Sequence, residues 1–470
     1  MLSFTLNNKL VEIDGVKPDT TILELLRTKL GQTGAKEGCG SGDCGACTVV
    51  LASESGFRTI NSCISLAAQL QGRHLITVEG LQAADGTLHP VQQAMVEHHG
   101  SQCGFCTPGF VMSLFALYQQ RREAHSDPIT RADVEQALAG NLCRCTGYEP
   151  IIQAAMHACD APGHDIEAQV FETPASNQRK SQVDGYWQPE SRDQLRAISQ
   201  AYPEARFVAG ATDLGVEITQ RLLPVPALID LTEVKELGQW HQDEHALTVG
   251  AAVRLSQLHN LMLPEWPELA ELFERLGSTP IRHQGTIGGN LGTASPIGDC
   301  APWLMALGAS VVVSNGDRTF GYSVNDFFTG YRQTRLEAGQ WIDHVVIPRR
   351  RPGQLFRTYK ISKRFDDDIS TVCVSWLVEL DDGRIVTARC GLGGVAATPV
   401  LMDLSQQLAG YEWQQRDTLE QIKQALSANV SPMSDVRASA DYRLALLPAL
   451  TERFWLETTT AVVTRVINHA

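Results

Sequence analysis

Three things are scarce in this sequence. No run of apolar residues approaches the roughly 20 needed to cross a bilayer. The opening MLSFTLNN has neither the basic stretch nor the apolar core of a secretory leader. Basic residues are outnumbered, 39 Lys and Arg against 53 Asp and Glu, giving a formal charge of −14. So acidic a chain is a poor ligand for nucleic acid or for an anionic lipid surface. The expectation is a cytoplasmic protein with no nucleic-acid and no membrane partner. In that reducing compartment a disulfide framework is excluded, and the 12 cysteines call for ligand or redox chemistry.

What is present is length and core-forming residues. With 470 residues, 43% of them apolar and 20% charged, the chain should divide into about three or four globular domains. Eight cysteines fall at tight spacings: Cys39, Cys44, Cys47 and Cys63, then Cys103, Cys106, Cys143 and Cys145. Cys159, Cys300, Cys373 and Cys390 stand alone and read as small buried hydrophobes.

The first group lies in EGCGSGDCGACTV. Before it, LSFTLNNKLVEID alternates around Asn7-Asn8 as a hairpin does, and TILELLRTKLG reads as a helix with Thr21 and Glu24 as a capping box and Gly31 as its stop. A strand, CTVVLA, follows, and the whole resembles the β-grasp fold of plant-type ferredoxins. C-x4-C-x2-C with a distant fourth cysteine is the plant-type pattern for a 2Fe–2S cluster. Gly38, Gly40, Gly42 and Gly45 let backbone amides approach the sulfurs. A structural zinc site is the alternative, although it would more often use paired C-x2-C knuckles.

From Pro90 the period is helical, with helices expected over 90–99, 108–121, 131–139 and 150–158. Pro90, Pro108 and Pro150 suit first helical positions, Thr130 with Asp133 makes a capping box, and Gly140 ends a helix. Phe110, Val111, Leu114, Phe115 and Tyr118 form a stripe that reads as bundle core. CGFC and CRC both precede helix starts, where negative charge is favoured. Taken alone, CGFC allows a thioredoxin-like redox pair, and the two motifs together allow zinc. CGFCTPG followed by NLCRCTGY, however, closely resembles the second 2Fe–2S domain of the molybdenum hydroxylases, the family of xanthine dehydrogenase and aldehyde oxidase.

A polar, aperiodic stretch at about 161–184 reads as a linker. Beyond it, ARFVAGATDLGVEI and GTIGGNLGTASPIGD are glycine-rich turns of the kind that present amides to a pyrophosphate, the second ahead of an apolar helix, APWLMALG. Both resemble FAD-binding segments of the same family. The resemblance implies flavin contacts from Phe207, Val208, Ala209, Gly210, Ala211, Thr212, Asp213 and Leu214, from Thr286, Ile287, Gly288, Gly289 and Asn290, and from Asp299, Ile342 and Lys360. KRFDDDIS, with Arg364 to Ser370, resembles the charged loop where NAD approaches. Leu276 stands where some relatives have a phenylalanine near the flavin ring, and Phe365 where some have a second arginine.

Other patterns read as incidental. GLGGVA at 391–396 matches a dinucleotide fingerprint but is followed at once by Pro399 and lacks a βαβ setting. His241, Glu244 and His245 spell a metalloprotease motif in what reads as a solvated turn, and His98-His99 reads as a helix end facing solvent.

The implied fold is multidomain α+β: a β-grasp ferredoxin-like domain (1–82), a four-helix 2Fe–2S domain (83–160), a linker (161–183), an α/β FAD-binding domain of the PCMH type (184–347) and a small C-terminal flavoprotein subdomain (348–470). This order resembles the small subunit of a bacterial two-subunit xanthine dehydrogenase. By that resemblance electrons would run from a molybdenum-molybdopterin partner subunit that hydroxylates hypoxanthine or xanthine, through two 2Fe–2S clusters, to FAD and then NAD+. The implied assembly is an α2β2 heterotetramer, and no residue of this chain would carry out the hydroxylation. The same architecture could serve an aldehyde or an N-heterocycle, and a zinc-stabilised binding protein without redox chemistry is the remote alternative.

Overall fold

A computed structural model describes residues 1–53, 56–124, 128–160, 183–428, 430–462 and 464. These pack as two compact units, Met1–Val234 with Gly277–Gly285, and Lys235–Leu276 with Thr286–Ala470. The 161–183 linker lies outside the described residues except for its last position, Val183, which is buried in a core and so belongs to the fold that follows. Among the described residues no helix is long and apolar enough to cross a membrane.

The first unit opens on the expected hairpin. Asn7 and Asn8 both take the left-handed conformation, φ 49° and 65°, which a two-residue turn between Leu2–Leu6 and Lys9–Ile13 needs. His74–Ile76 pairs parallel with Leu2–Leu6 and antiparallel with Thr48–Ser53, which in turn pairs with Gly56–Asn61, giving the β-grasp sheet. The helix from TILELLRTKLG forms only in part as expected. Ile22–Glu24 is a single α turn, and Leu25–Lys29 widens to π, with Leu30 N–H reaching Leu25 C=O. Thr21 accepts from Glu24 N–H at 3.1 Å but makes only its half of the box. One widened turn keeps Leu25 and Leu26 buried, so the apolar period carries no sign of it. Gly31, φ 66°, closes the end as expected.

The four later helices appear at Pro90–Glu97, Thr107–Ala124, Arg131–Ala137 and Glu149–Asp160. Their apolar stripe, Phe110, Val111, Leu114, Phe115 and Tyr118, is buried. Thr130 and Asp133 complete their reciprocal box. His98 is half-buried rather than purely solvent-facing, its ring 5.0 Å from that of His157. The unit is completed by a parallel three-stranded sheet, in the order Tyr186–Trp187, Leu228–Asp230, Arg206–Val208, with helices Arg192–Ala201 and Leu214–Arg221.

The second unit holds a five-stranded antiparallel sheet, from Thr319–Ser323 through Ser310–Ser314, Trp341–Pro348 and Ala246–Gly250 to Trp240–Gln242. A four-stranded meander, Gln354–Ile361, Val372–Asp381, Arg384–Gly393 and Val400–Asp403, lies in the same unit. Helix Cys300–Leu307 is buried along its whole length, as its continuous apolar sequence requires. Gly391, in the incidental GLGGVA pattern, lets this helix approach the meander: a Cβ there would lie 1.8 Å from Pro302 O. Gly391→Ala should therefore cost about 1–3 kcal/mol through forced backbone movement, seen as a lowered midpoint in thermal unfolding. Glu244 and His245 sit in the bend between two antiparallel strands, the solvated turn expected of them, whereas His241 lies on strand Trp240–Gln242, exposed.

Arg443, 3% exposed, ties three segments of this unit together through Thr371 O, Gly394 O and Asp435. Burial pushes the Asp435 carboxyl up, but the amides of Arg437 and Ala438 and the Arg443 guanidinium outweigh it and hold the carboxyl at about 2. A depressed native value contributes stability that is present above the unfolded value near 3.9 and lost as pH falls through about 2. Asp435→Asn should accordingly lower the melting temperature at pH 7 while narrowing the gap to wild type near pH 2, measured by melts across that range.

Candidate functional site

The loop of the first cysteine group brings all four thiols together. Cys47 Sγ lies 3.2 Å from Cys63 Sγ, and Cys39 is in hydrogen-bond contact with both Cys44 and Cys63. Hydrogen bonds between the thiols hold Cys39 and Cys47 below the usual thiol range and push Cys44 and Cys63 above it. Ser41 N–H donates to Cys39 Sγ at 3.4 Å. A Cβ on Gly38 would lie 2.8 Å from Cys44 Sγ, so glycine is needed for the loop to close on its own sulfur.

The second quartet closes as well. Cys145 Sγ lies 3.7 Å from Cys103 Sγ and 3.8 Å from Cys143 Sγ, and Cys106 contacts Cys143. Burial, followed by the neighbouring Cys143, pushes the Cys106 thiol up to about 12. Burial also opposes ionisation of Cys143, yet the Thr146 hydroxyl and amide donate to its sulfur and bring it down to about 7. Local donors on Thr146 thus do for Cys143 what a helix terminus was expected to do. Cys106 immediately precedes helix Thr107–Ala124 and gives its carbonyl to Phe110 N–H.

Each quartet is linked by a run of sulfur–sulfur contacts, and no three His, Cys, Asp or Glu side chains among the described residues are disposed to hold one metal ion. A diiron core divides four thiolates between two irons, so the donor chemistry and the glycine-permitted closeness fit such a core. The two loops are also bonded to each other: Leu142 N–H donates to Cys44 O at 3.0 Å, and buried Asn141 donates to Gly45 O at 3.2 Å while accepting from Ser113 at 2.6 Å. Sequence reasoning missed Asn141, Ser113 and Thr146. Their partners lie up to 96 residues away or depend on a turn, and only the position of Asn141 and Thr146 within NLCRCTGY hinted at a role.

The residues expected near a flavin fall in both units. In the first, strand Arg206–Val208 runs into a turn in which Ala211 takes φ 58° and Gly210 leaves no room for a Cβ against Gln284 O. In the second, GTIGGN is not the glycine-rich turn expected but a short helix, Ile287–Gly292, with Thr286 accepting from Gly289 N–H at 3.0 Å. Gly288 packs against Ala251, where a Cβ would come within 2.5 Å. Asn290 accepts from Cys300 N–H at 3.4 Å. Asp299 precedes helix Cys300–Leu307, and its carboxylate takes Lys360 Nζ at 2.7 Å and the Ser370 hydroxyl; all three side chains are buried. Ile342, 5% exposed, lies on strand Trp341–Pro348.

Leu276 is buried at the end of helix Ala270–Arg275. Phe365 is half-exposed and lies under the Arg275 guanidinium, 4.9 Å from its ring centre. Arg275 also donates to Phe365 O and Ser362 Oγ, fixing the loop that carries Arg364. Of the isolated cysteines, Cys300, Cys373 and Cys390 are fully buried and Cys159 half-buried. Burial raises the thiols of all four.

Comparison with known proteins agrees with this layout. Residues 4–71 match the 2Fe-2S iron-sulfur cluster binding domain family and residues 77–156 a second 2Fe-2S binding domain family. Residues 179–350 match the FAD binding domain in molybdopterin dehydrogenase, and residues 357–458 the CO dehydrogenase flavoprotein C-terminal domain. The chain is 30% identical to xanthine dehydrogenase/oxidase of Gallus gallus, over 88% of this chain and 37% of that protein. It is 31% identical to xanthine dehydrogenase of Drosophila pseudoobscura pseudoobscura, over 97% of this chain and 39% of that protein. It therefore spans about two fifths of the length of these relatives. The solved structure of quinoline 2-oxidoreductase from Pseudomonas putida 86 superposes with a TM-score of 0.53 at 26% identity, covering 60% of this chain and 98% of that one.

Proposed function

Because the chain belongs to the molybdenum hydroxylase family, as its iron–sulfur and flavin electron-transfer part, we propose that it is the small subunit of an NAD-dependent xanthine dehydrogenase. When bound, the 2Fe–2S clusters exchange single electrons and FAD couples them to two-electron chemistry. The substrate would be hypoxanthine or xanthine, oxidised at molybdenum on a large partner subunit in an α2β2 assembly, with NAD+ as final acceptor.

The observation that carries this reading is the closure of both cysteine quartets, whose members are spread over more than a hundred residues of sequence. In it, Cys39, Cys44, Cys47 and Cys63 hold one cluster and Cys103, Cys106, Cys143 and Cys145 the other. Thr146 and Ser41 aim donors at the sulfurs and favour the thiolate form that binds iron. Lys360 and Ser370 donate to Asp299 and hold it fixed among the proposed flavin contacts. Arg275 holds the loop bearing Arg364 in place for the nicotinamide. Xanthine is favoured because the curated relatives that cover nearly the whole chain carry that name. The fold shared with quinoline 2-oxidoreductase favours, as a second reading, another N-heterocycle.

Purification under native conditions tests it. A red-brown protein containing iron, labile sulfide and flavin, co-isolating with a molybdenum subunit and reducing NAD+ with hypoxanthine, is expected. Zinc without flavin, or activity on other heterocycles but not on purines, would contradict it.

A further inference from the structure

Helix Leu214–Arg221 starts in the first glycine-rich turn and reaches the loop of the first quartet, all within the first unit. Gly215 lies against Ile64, the neighbour of Cys63, so closely that a Cβ would be 2.1 Å from Ile64 O. One turn on, the half-buried Thr219 hydroxyl lies 2.5 Å from Gly40 O, nearer than its intrahelical acceptors Gly215 O at 2.9 Å and Val216 O at 3.4 Å. Gln220 Nε2 donates to Cys39 O at 3.1 Å.

The Gly40 carbonyl and the Ser41 N–H belong to one peptide group, and that N–H is the donor to Cys39 Sγ. A donor on the carbonyl side polarises a peptide and strengthens the bond its N–H makes. Donors to cluster sulfurs favour the reduced state, which carries one more negative charge. We propose that Thr219 is a positioning residue for the first centre: its hydroxyl bond to Gly40 C=O strengthens the Ser41 N–H bond to Cys39 sulfur and so raises the reduction potential of that centre alone. The inference rests on reading the first quartet as the ligands of a diiron cluster.

The test is a reductive titration of the full protein, with any partner that co-purifies, followed by paramagnetic resonance with one electron entering each centre. The signal that survives Cys145→Ser identifies the first centre. Thr219→Val keeps the shape and removes the hydroxyl. At a fixed solution potential the ratio of reduced to oxidised first centre should fall about threefold, about 30 mV for one electron, with the second centre unmoved. Thr219→Ser should restore the wild-type value, and Thr219→Ala provides a second hydroxyl-free variant read in the same way. Gln220→Ala should shift it less, since the peptide it touches is not the one that donates to sulfur through Ser41. Iron present with an unchanged first potential in both hydroxyl-free variants, or equal shifts of both centres, overturns the proposal and leaves the cluster reading standing. A wild-type protein that binds no iron overturns the cluster reading itself.

Discussion

Cys145→Ser is expected to halve the iron content, from about four atoms per chain to about two, and to leave one paramagnetic centre in the reduced protein. Cys145 is exposed, and its sulfur lies against the backbone and sulfur of Cys103 and the sulfur of Cys143, outside the apolar core. The bundle core around Phe110, Leu114 and Phe115 does not involve it, so the helical signal in circular dichroism should persist. In the proposed assembly, reduction of the flavin by the proposed purine substrate should slow by roughly tenfold or more, because a one-electron relay is missing. Reduction of the flavin by NADH should keep its rate. Equal loss of both reactions would contradict the proposed order of centres, and retention of both paramagnetic signals would contradict the ligand assignment.

Lys360→Met should produce the largest stability loss. Lys360 and Asp299 are 4% and 7% exposed and 2.7 Å apart, so the substitution leaves a carboxylate buried with, among the described residues, only the Ser370 hydroxyl as a close side-chain donor. Removing one member of a buried pair costs about 3–5 kcal/mol, which for a unit of this size lowers the melting temperature by about 10 °C. Flavin bound per chain, read from visible absorbance, should fall below half. Adding Asp299→Asn to Lys360→Met removes the stranded charge and should recover part of the melting temperature, but not the flavin. Recovery of both would mean that the pair is structural only.

What could be read in advance follows from how local each signal is. Cysteine spacing is covalent, so both quartets were legible from EGCGSGDCGACTV, CGFC and NLCRC, and the structure closes each one. The bundle was legible because Pro90, Thr130 and Gly140 mark helix ends chemically. The Asn7-Asn8 hairpin was legible for the same reason. Ile287–Gly292 was hidden by its own glycines: helix propensity argues against it, and the cap from Thr286 together with contact against Ala251 outweighs that propensity. The π turn at Leu25–Lys29 leaves the apolar period intact. Asn141 and Thr219 were illegible because what they do depends on carbonyls 96 and 179 residues away. The substrate is a different matter, since relatives sharing this architecture are named for different substrates.

Counting iron and acid-labile sulfide in anaerobically purified protein, then recording paramagnetic resonance after full reduction, tests the central claim most directly. Two diiron centres require about four irons and about four sulfides per chain and two distinct reduced signals. Zinc in place of iron, or a single signal from protein carrying its full complement of cysteines, would contradict the account.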